Sequence, residues 1–327
     1  MLISVVIPLY NKADAVLRAV QSVQSQTWRD WELIVVDDGS TDGGAQLVDA
    51  VADARISVVS QPNAGVSVAR NMGLLRARGD WVALLDADDY WREDHLAKLA
   101  FLARQYADAA MLGSSYGFLS EAGSWRRAPI RSEYLTDPSG FVEITDFFDD
   151  AVAMTYLPLT SSSVMLPKEL ALKLGGFPAG ITAGEDQLMW AKMACAGRVV
   201  LSVEPTSVYV EPPVSSAARQ SVVRRPQLPD VVGTELKFLL KSRRHPQSMS
   251  LFLADWYRIR AVSWMELNER WLCMADVCRA VRFGRVTSKD VICVVALLMP
   301  KGLRGRLLAA RRERIRREAA SSIGALQ

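Results

Sequence analysis

Four short apolar runs rich in β-branched residues recur within the first 85 positions, at residues 3–9, 31–36, 56–60 and 81–85. A helical pattern follows each of them. The first extends to Gln26 with Val16, Ala19, Val20 and Val23 on one face; the next two cover residues 44–52 and 64–77, and the fourth starts near Arg92. This alternation predicts an α/β fold, a mostly parallel sheet with helices on both faces. Sheets of that kind bind ligands outside the carboxyl ends of their strands. Here those ends carry Pro8-Leu9-Tyr10, Asp37-Asp38 and Asp86-Ala87-Asp88.

The fourth run reads as a fully buried strand, continuous and apolar from Trp81 to Leu85. It runs directly into Asp86, Asp88 and Asp89. Side chains at i and i+2 share one face of a strand, so strand geometry continued to its end points Asp86 and Asp88 the same way. Two carboxylates so placed repel unless something positive sits between them. A divalent cation, Mg²⁺ or Mn²⁺, shared with a phosphate fits that need. An acidic turn capping the following helix is the other reading.

Beyond residue 110 the regularity breaks. Residues 111–118 and 124–130 read as antiparallel strands, 137–150 as a loop with a short helix, and 161–166 as a strand followed by a helix at 168–174. Gly184-Glu185-Asp186 opens a helix to about Ala196, and residues 199–203 form a last strand. From about residue 220 the pattern is helical throughout. A chain of 327 residues suits one large domain plus an appendage, divided here into 1–215 and 216–327.

The formal net charge of +3 is unevenly placed. Residues 301–317 carry eight Lys/Arg and one acid, which leaves −4 for the remainder. Leu303, Leu307, Leu308 and Ile315 can share a helix face among those arginines. A basic amphipathic tail of this kind suits an anionic membrane surface; a helix packed on protein with a solvated arginine face is the alternative. No nucleic-acid partner is expected. The four cysteines lack C-x-x-C spacing and read as buried reduced thiols. His95 reads as a helix-surface residue, and His245 lies in the tail region. The longest apolar stretch, residues 291–299, is far short of the roughly 20 a membrane span needs. No signal peptide is visible. The expected location is cytoplasmic, peripheral on the inner face of the cell membrane if the tail binds lipid.

No G-x-G-x-x-G and no G-x-x-x-x-G-K-[ST] loop is present, so phosphate chemistry would go through metal rather than a glycine cradle. One set of strand-end carboxylates can hold that metal while another accepts hydrogen bonds from a base or ribose. Glu185-Asp186 either sits favourably at the positive end of a helix or supplies a general base, since adjacent carboxylates raise one another's pKa.

The runs Ser4 to Lys12, Val35 to Asp42, Asn63 to Gly73 and Leu85 to Asp89, followed by Gly184-Glu185-Asp186 with Trp190, resemble the family 2 inverting glycosyltransferases of GT-A fold. The resemblance covers about residues 3–205. It implies a catalytic domain with a nucleotide-sugar half (about 1–110) and an acceptor half (about 111–215). Pro8, Tyr10 and Asp38 would hold the base and ribose. Arg70 and Asn71 would lie near the diphosphate or organise a loop. Asp86, Ala87 and Asp88 match the D-x-D positions, Asp88 as metal ligand and Asp86 nearer the ribose. Asp186 would be the catalytic base, with Glu185 the second candidate. The implied donor is a UDP- or dTDP-sugar, and the acceptor a glycan or lipid-linked hydroxyl. Two features depart from the family or its branches. The region after the last strand, Val208 to Pro213, has no His, and the Gln-x-x-Arg-Trp element of processive synthases is absent. Transfer of a single sugar is therefore expected. A nucleotidyltransferase and a non-catalytic nucleotide-binding descendant are the alternatives.

Overall fold

The computed structural model describes residues 1–154, 156–212, 224–242 and 245–299. The chain divides into two compact units, Met1–Arg219 and Gln220–Gln327.

The first unit opens as β1 (Ile3–Leu9), α1 (Val16–Gln24), β2 (Trp31–Asp37), α2 (Gly44–Asp49), β3 (Ile56–Ser60), α3 (Val66–Arg76) and β4 (Trp81–Leu84). It continues as β5 (Tyr90–Trp91), α4 (His95–Gln105), β6 (Ala109–Leu119), β7 (Trp125–Arg127), α5 (Ser132–Leu135), β8 (Phe141–Ile144) and α6 (Phe147–Ala153). A single turn at Ser161–Ser163 precedes β9 (Val164–Pro167), α7 (Lys168–Lys173), α8 (Glu185–Ala196) and β10 (Arg198–Val210). The strands form one sheet in the order β3-β2-β1-β4-β9-β6-β10-β5, with β7 beside β6 and β8 beside β10. Pairing is parallel through β3-β2-β1-β4 and between β6 and β10. It is antiparallel where β9 joins β4 to β6.

The apolar runs become strands because both their faces are covered. Every residue of β2 and β4 is buried. Helix α3 lies flush on β1 at Gly73, where a Cβ would overlap both methyls of Val6. That close approach sets Arg70, one turn earlier on α3, near the carboxyl end of β4.

Several elements differ from the sequence expectation. β4 ends at Leu84, so Asp86, Asp88 and Asp89 lie in a turn rather than on a strand. In that turn they pair with different cations, Asp86 with Arg70 and Asp88 with Lys12. β10 continues to Val210, well past residue 203, because register irregularities around Ser202, Pro205 and Ser207 accommodate a proline that cannot donate to the ladder. β5 and β8, at two and four residues, were too short to read from pattern. His95 is not on a helix surface: it is fully buried, stacked on Trp91 at 4.3 Å, with Nδ1 2.8 Å from Thr206 Oγ1. The first turn of α4 faces the sheet, and burial pushes the imidazole pKa down to about 3. Cys273 and Cys293 are buried as expected, but Cys195 is half-buried and Cys278 exposed.

The second unit contains α9 (Val231–Leu239), α10 (Pro246–Glu266), α11 (Arg270–Phe283) and α12 (Ser288–Leu298), with a single turn at Leu240–Ser242 between α9 and α10. Trp264, Cys273, Val277, Cys293 and Ala296 build its core. The fully buried Asp276 accepts from Arg260 Nε at 3.0 Å, Trp264 Nε1 at 2.9 Å and Arg279 Nη1 at 2.5 Å. Among the described residues no helix is long and apolar enough to cross a membrane. The basic tail, residues 301–317, lies outside the described residues.

Gly73→Ala should destabilise the protein by roughly 1–3 kcal/mol. Overpacking against Val6 on a central strand outweighs the gain of up to about 1 kcal/mol from helix propensity. Urea unfolding checks this, with Leu75→Ala on the exposed side of α3 as the control. A Gly73→Ala midpoint at or above wild type contradicts the packing.

Candidate functional site

Two features meet at the carboxyl ends of β1, β2 and β4. One is a cleft of about 240 Å³ lined by Pro8, Tyr10, Asp38, Asn63, Gly65 and Val66. Its floor is strand end and its far wall is the start of α3. Tyr10 is half exposed. Asp38 is buried and holds the far wall: its carboxylate accepts from Gln61 Nε2 at 2.7 Å, Ala64 N at 2.8 Å and Gly65 N at 2.8 Å. A carboxylate offers about four acceptor positions, so one remains.

The other feature is the acidic turn after β4, whose three carboxylates go three ways. Asp86 pairs with Arg70 Nη2 at 2.8 Å. Asp88 pairs with Lys12 Nζ at 2.5 Å, and its backbone carbonyl accepts from Arg18 Nη2 at 2.6 Å. Asp89 turns inward, accepting from Ser162 Oγ at 2.5 Å and Val210 N at 3.0 Å. Burial, together with the charge of Asp86, pushes the Asp89 pKa well up. Ala87 is buried between the two outward carboxylates. Burial lowers the Lys12 pKa, but the bond to Asp88 and the surrounding acids outweigh it and leave the ammonium raised. The repulsion expected between Asp86 and Asp88 is thus relieved by two side-chain cations, one for each.

Arg70 is the junction. Only 3% of it is exposed. Besides Asp86 it reaches Glu185 at 3.5 Å, a residue 115 positions later at the first turn of α8. Its guanidinium lies over the Phe177 ring, 5.3 Å from the centroid. Phe177 in turn packs edge-on against the fully buried Trp190. Asn71 holds Phe177 in place by donating to its carbonyl and accepting from its N–H, both at 2.8 Å. Asn71 thereby organises the loop that carries Phe177. Gly184, in the left-handed region at φ 85°, turns the chain so that Glu185 and Asp186 open α8 beside Arg70. Asp186 accepts from Gln187 N at 2.7 Å. Burial first, then the neighbouring Glu185, raises its pKa to about 6 against the opposing pull of Arg70.

The structure therefore brings together Arg70, Asp86, Glu185 and Asp186, and separately lines the cleft with Pro8, Tyr10 and Asp38. Sequence reasoning gave no role to Lys12 or Ser162. Lys12 was detectable as a cation just past the end of β1. Ser162 was not: it accepts from Asp86 N and donates to Asp89, a contact between segments more than 70 residues apart.

Residues 4–156 match the model for Glycosyl transferase family 2. This stretch is a family 2 glycosyltransferase domain. The chain is similar to the Succinoglycan biosynthesis protein ExoO of Rhizobium meliloti (strain 1021), 33% identical over 220 residues, which are 64% of this chain and 60% of that protein. It is also similar to the Putative teichuronic acid biosynthesis glycosyltransferase TuaG of Bacillus subtilis (strain 168), 40% identical over 127 residues, 38% of this chain and 50% of that protein. The chain thus spans little more than half the length of these curated relatives. Among solved structures, S. aureus TarS 1-349 in complex with UDP-GlcNAc superposes with a TM-score of 0.66 at 18% identity, covering 95% of this chain and 88% of that one. The glycosyltransferase domain accordingly has the GT-A fold.

Removing the junction should cost stability in a pH-dependent way. Arg70→Met leaves Asp86, Glu185 and Asp186 without their shared cation. We expect a loss of about 3 kcal/mol at pH 7.5, the low end for a broken buried pair because Asp86 keeps contact with solvent. Arg70 lowers the Asp186 pKa, so its removal raises it above the wild-type value of about 6, and protonation as pH falls toward 6 relieves the repulsion. The deficit should therefore narrow at pH 4.5. Equal deficits at the two pH values in urea unfolding contradict the electrostatic account.

Proposed function

We propose that this protein is an inverting, metal-dependent, non-processive glycosyltransferase. It moves one sugar from a UDP- or dTDP-sugar to an acceptor hydroxyl in the assembly of a cell-surface polysaccharide or related glycan. One observation carries the reading: buried Arg70 gathers Asp86 from a strand end and Glu185-Asp186 from a helix start, beside the Pro8–Tyr10–Asp38 cleft. The succinoglycan and teichuronic acid biosynthesis relatives support the polysaccharide setting. The UDP-GlcNAc complex of TarS supports the donor class.

In this reading the nucleobase lies against Pro8 and Tyr10, and the remaining acceptor position of Asp38 meets a pyrimidine N–H. Arg70 fixes Asp86 near the ribose side and holds α8 so that Asp186 faces the reacting centre. Asp186 takes the proton from the acceptor hydroxyl as its oxygen bonds to the anomeric carbon. The bond to the nucleoside diphosphate breaks on the opposite face, and configuration inverts. A pKa of about 6 leaves Asp186 ionised near neutrality and more basic than an ordinary aspartate.

The residues fit a hard divalent cation. Asp88 is half exposed and pairs only with the equally exposed Lys12 among the described residues. Among the described residues no cluster of three His, Cys, Asp or Glu side chains is placed to hold a metal. One or two carboxylates with substrate phosphates and water are the usual complement for Mg²⁺. Asp88, with Asp86 beside it, would hold Mg²⁺ or Mn²⁺, which supplies neutralisation of the charge developing on the leaving diphosphate.

Release of nucleoside diphosphate from a panel of UDP- and dTDP-sugars, with and without acceptor glycans, tests the reading. Asp186→Asn should bind donor as wild type does and turn over roughly 10²-fold or more slowly. Because the base acts deprotonated, wild-type kcat/KM should fall as pH drops below about 6, and that limb should vanish in the variant. If donor binding falls while turnover holds, Asp186 is a binding residue and Glu185 takes the role of base. Release of pyrophosphate from nucleoside triphosphates would favour a nucleotidyltransferase instead.

A further inference from the structure

A second cleft, of about 370 Å³, is lined by Phe118 of β6 and Tyr209 of β10, the strand that Asp89 of the acidic turn bonds at Val210. Its wall is aromatic. Phe118 on β6 is the hub, with ring centroids 5.5 Å from Tyr116, 4.9 Å from Tyr156 and 5.7 Å from Tyr209. Above Phe118, at 3.8 Å from its centroid, sits the guanidinium of Arg126, which pairs with Glu211 at 2.9 Å. Tyr209 keeps 38% of its surface exposed although it belongs to a strand of the main sheet.

The cleft is tied to the reacting centre through the backbone. The acidic turn leads straight into β5, whose Tyr90 pairs with Val208 of β10, and Asp89 accepts from Val210 N. Tyr209 sits between those two anchors. Its phenol feels all three carboxylates of the turn: burial first, then Asp89, Asp88 and Asp86 push its pKa up to about 12.

The chemistry of the wall selects an occupant. Exposed aromatic faces stack on the C–H face of a sugar ring, and a few fixed polar groups in an apolar pocket set its orientation. A bidentate-capable Arg beside a carboxylate offers both donors and acceptors to ring hydroxyls. Among the described residues the cation of the wall, Arg126, is already met by Glu211, which disfavours a diphosphate. An alkyl chain would desolvate this pair and offer nothing to its remaining donor and acceptor positions. We propose that this cleft binds a neutral sugar ring of the acceptor glycan, with Tyr209 as its stacking platform and Arg126–Glu211 reading its hydroxyls. This deepens, and rests on, the glycosyltransferase reading above: the acceptor would be an existing saccharide whose end residue lies on Tyr209 and presents its hydroxyl toward the acidic turn.

Saturation-transfer NMR on the full chain tests it. The ligands are methyl glucoside, methyl galactoside and methyl N-acetylglucosaminide at millimolar concentration, and UDP separately. Wild type should transfer to the C–H protons on one face of at least one pyranoside. Tyr209→Phe, which keeps the ring, should retain that signal, and Tyr209→Ala should weaken binding roughly tenfold. UDP should bind all three proteins alike, which also shows that each is folded. Inorganic pyrophosphate should not displace the sugar. The proposal is overturned if the sugar signal survives Tyr209→Ala unchanged, if wild type binds UDP but none of the sugars, or if pyrophosphate displaces them. Sugar binding that depends on Tyr209 in a protein that ignores UDP would uphold the cleft and overturn the donor reading.

Discussion

A buried guanidinium is costly unless its charge is met, and the site is built around meeting the charge of Arg70. Taking an arginine out of water costs several kcal/mol even after relaxation, and here it is repaid by carboxylates from two distant segments, Asp86 and Glu185. The repayment has a geometric consequence. The end of β4 and the start of α8 cannot separate without stranding charge in the interior. Phe177 and Asn71 secure the same point from a third direction: the ring lies under the guanidinium, and the amide grips the backbone that carries the ring. Asp186 inherits its acidity from this arrangement, caught between the burial and like charge that raise its pKa and the single cation that limits the rise.

The acidic turn shows the same economy of charge on a smaller scale. Three carboxylates within four residues would be unstable side by side, so the turn distributes them. Asp86 goes to Arg70, Asp88 to Lys12, and Asp89 into the protein toward Ser162 and the backbone of β10. Asp89 is thereby a brace. It fastens the turn to Ser162, which also receives Asp86 N and, through its own carbonyl, Trp91 Nε1 and Ser207 Oγ. The turn thereby ties the strand ends beside the first cleft to β10, whose Tyr209 lines the second.

Much of the parallel half was legible because its signals are local. β1, β2 and β4 are mostly β-branched or apolar runs buried on both faces, and polar side chains within β1 and β2, Ser4 and Glu32, bond each other. The elements that escaped are those defined by distant partners. β5 exists only as two residues paired with β10, and β10 extends through a proline because β6 lies beside it over nearly its full length. His95 illustrates the same limit. A lone polar residue near a helix start reads as exposed, yet Thr206 and Trp91 await it inside. Within the site, the carboxylates and Arg70 stood out by position and type. The direction in which each points did not, because Asp86 and Asp88 are oriented by Arg70 and Lys12 rather than by a strand that has already ended.

In the proposed reaction, carboxylates held by Arg70 serve a single displacement at an anomeric carbon. The most direct test is a ¹H NMR time course of transfer from an α-linked nucleotide sugar to a saccharide acceptor, following the anomeric coupling of the first product formed. A β-linked product should appear from the earliest time points, accompanied by equimolar nucleoside diphosphate. An α-linked product would contradict it, because retention needs a second displacement or a front-face path that a lone base at Asp186 does not provide.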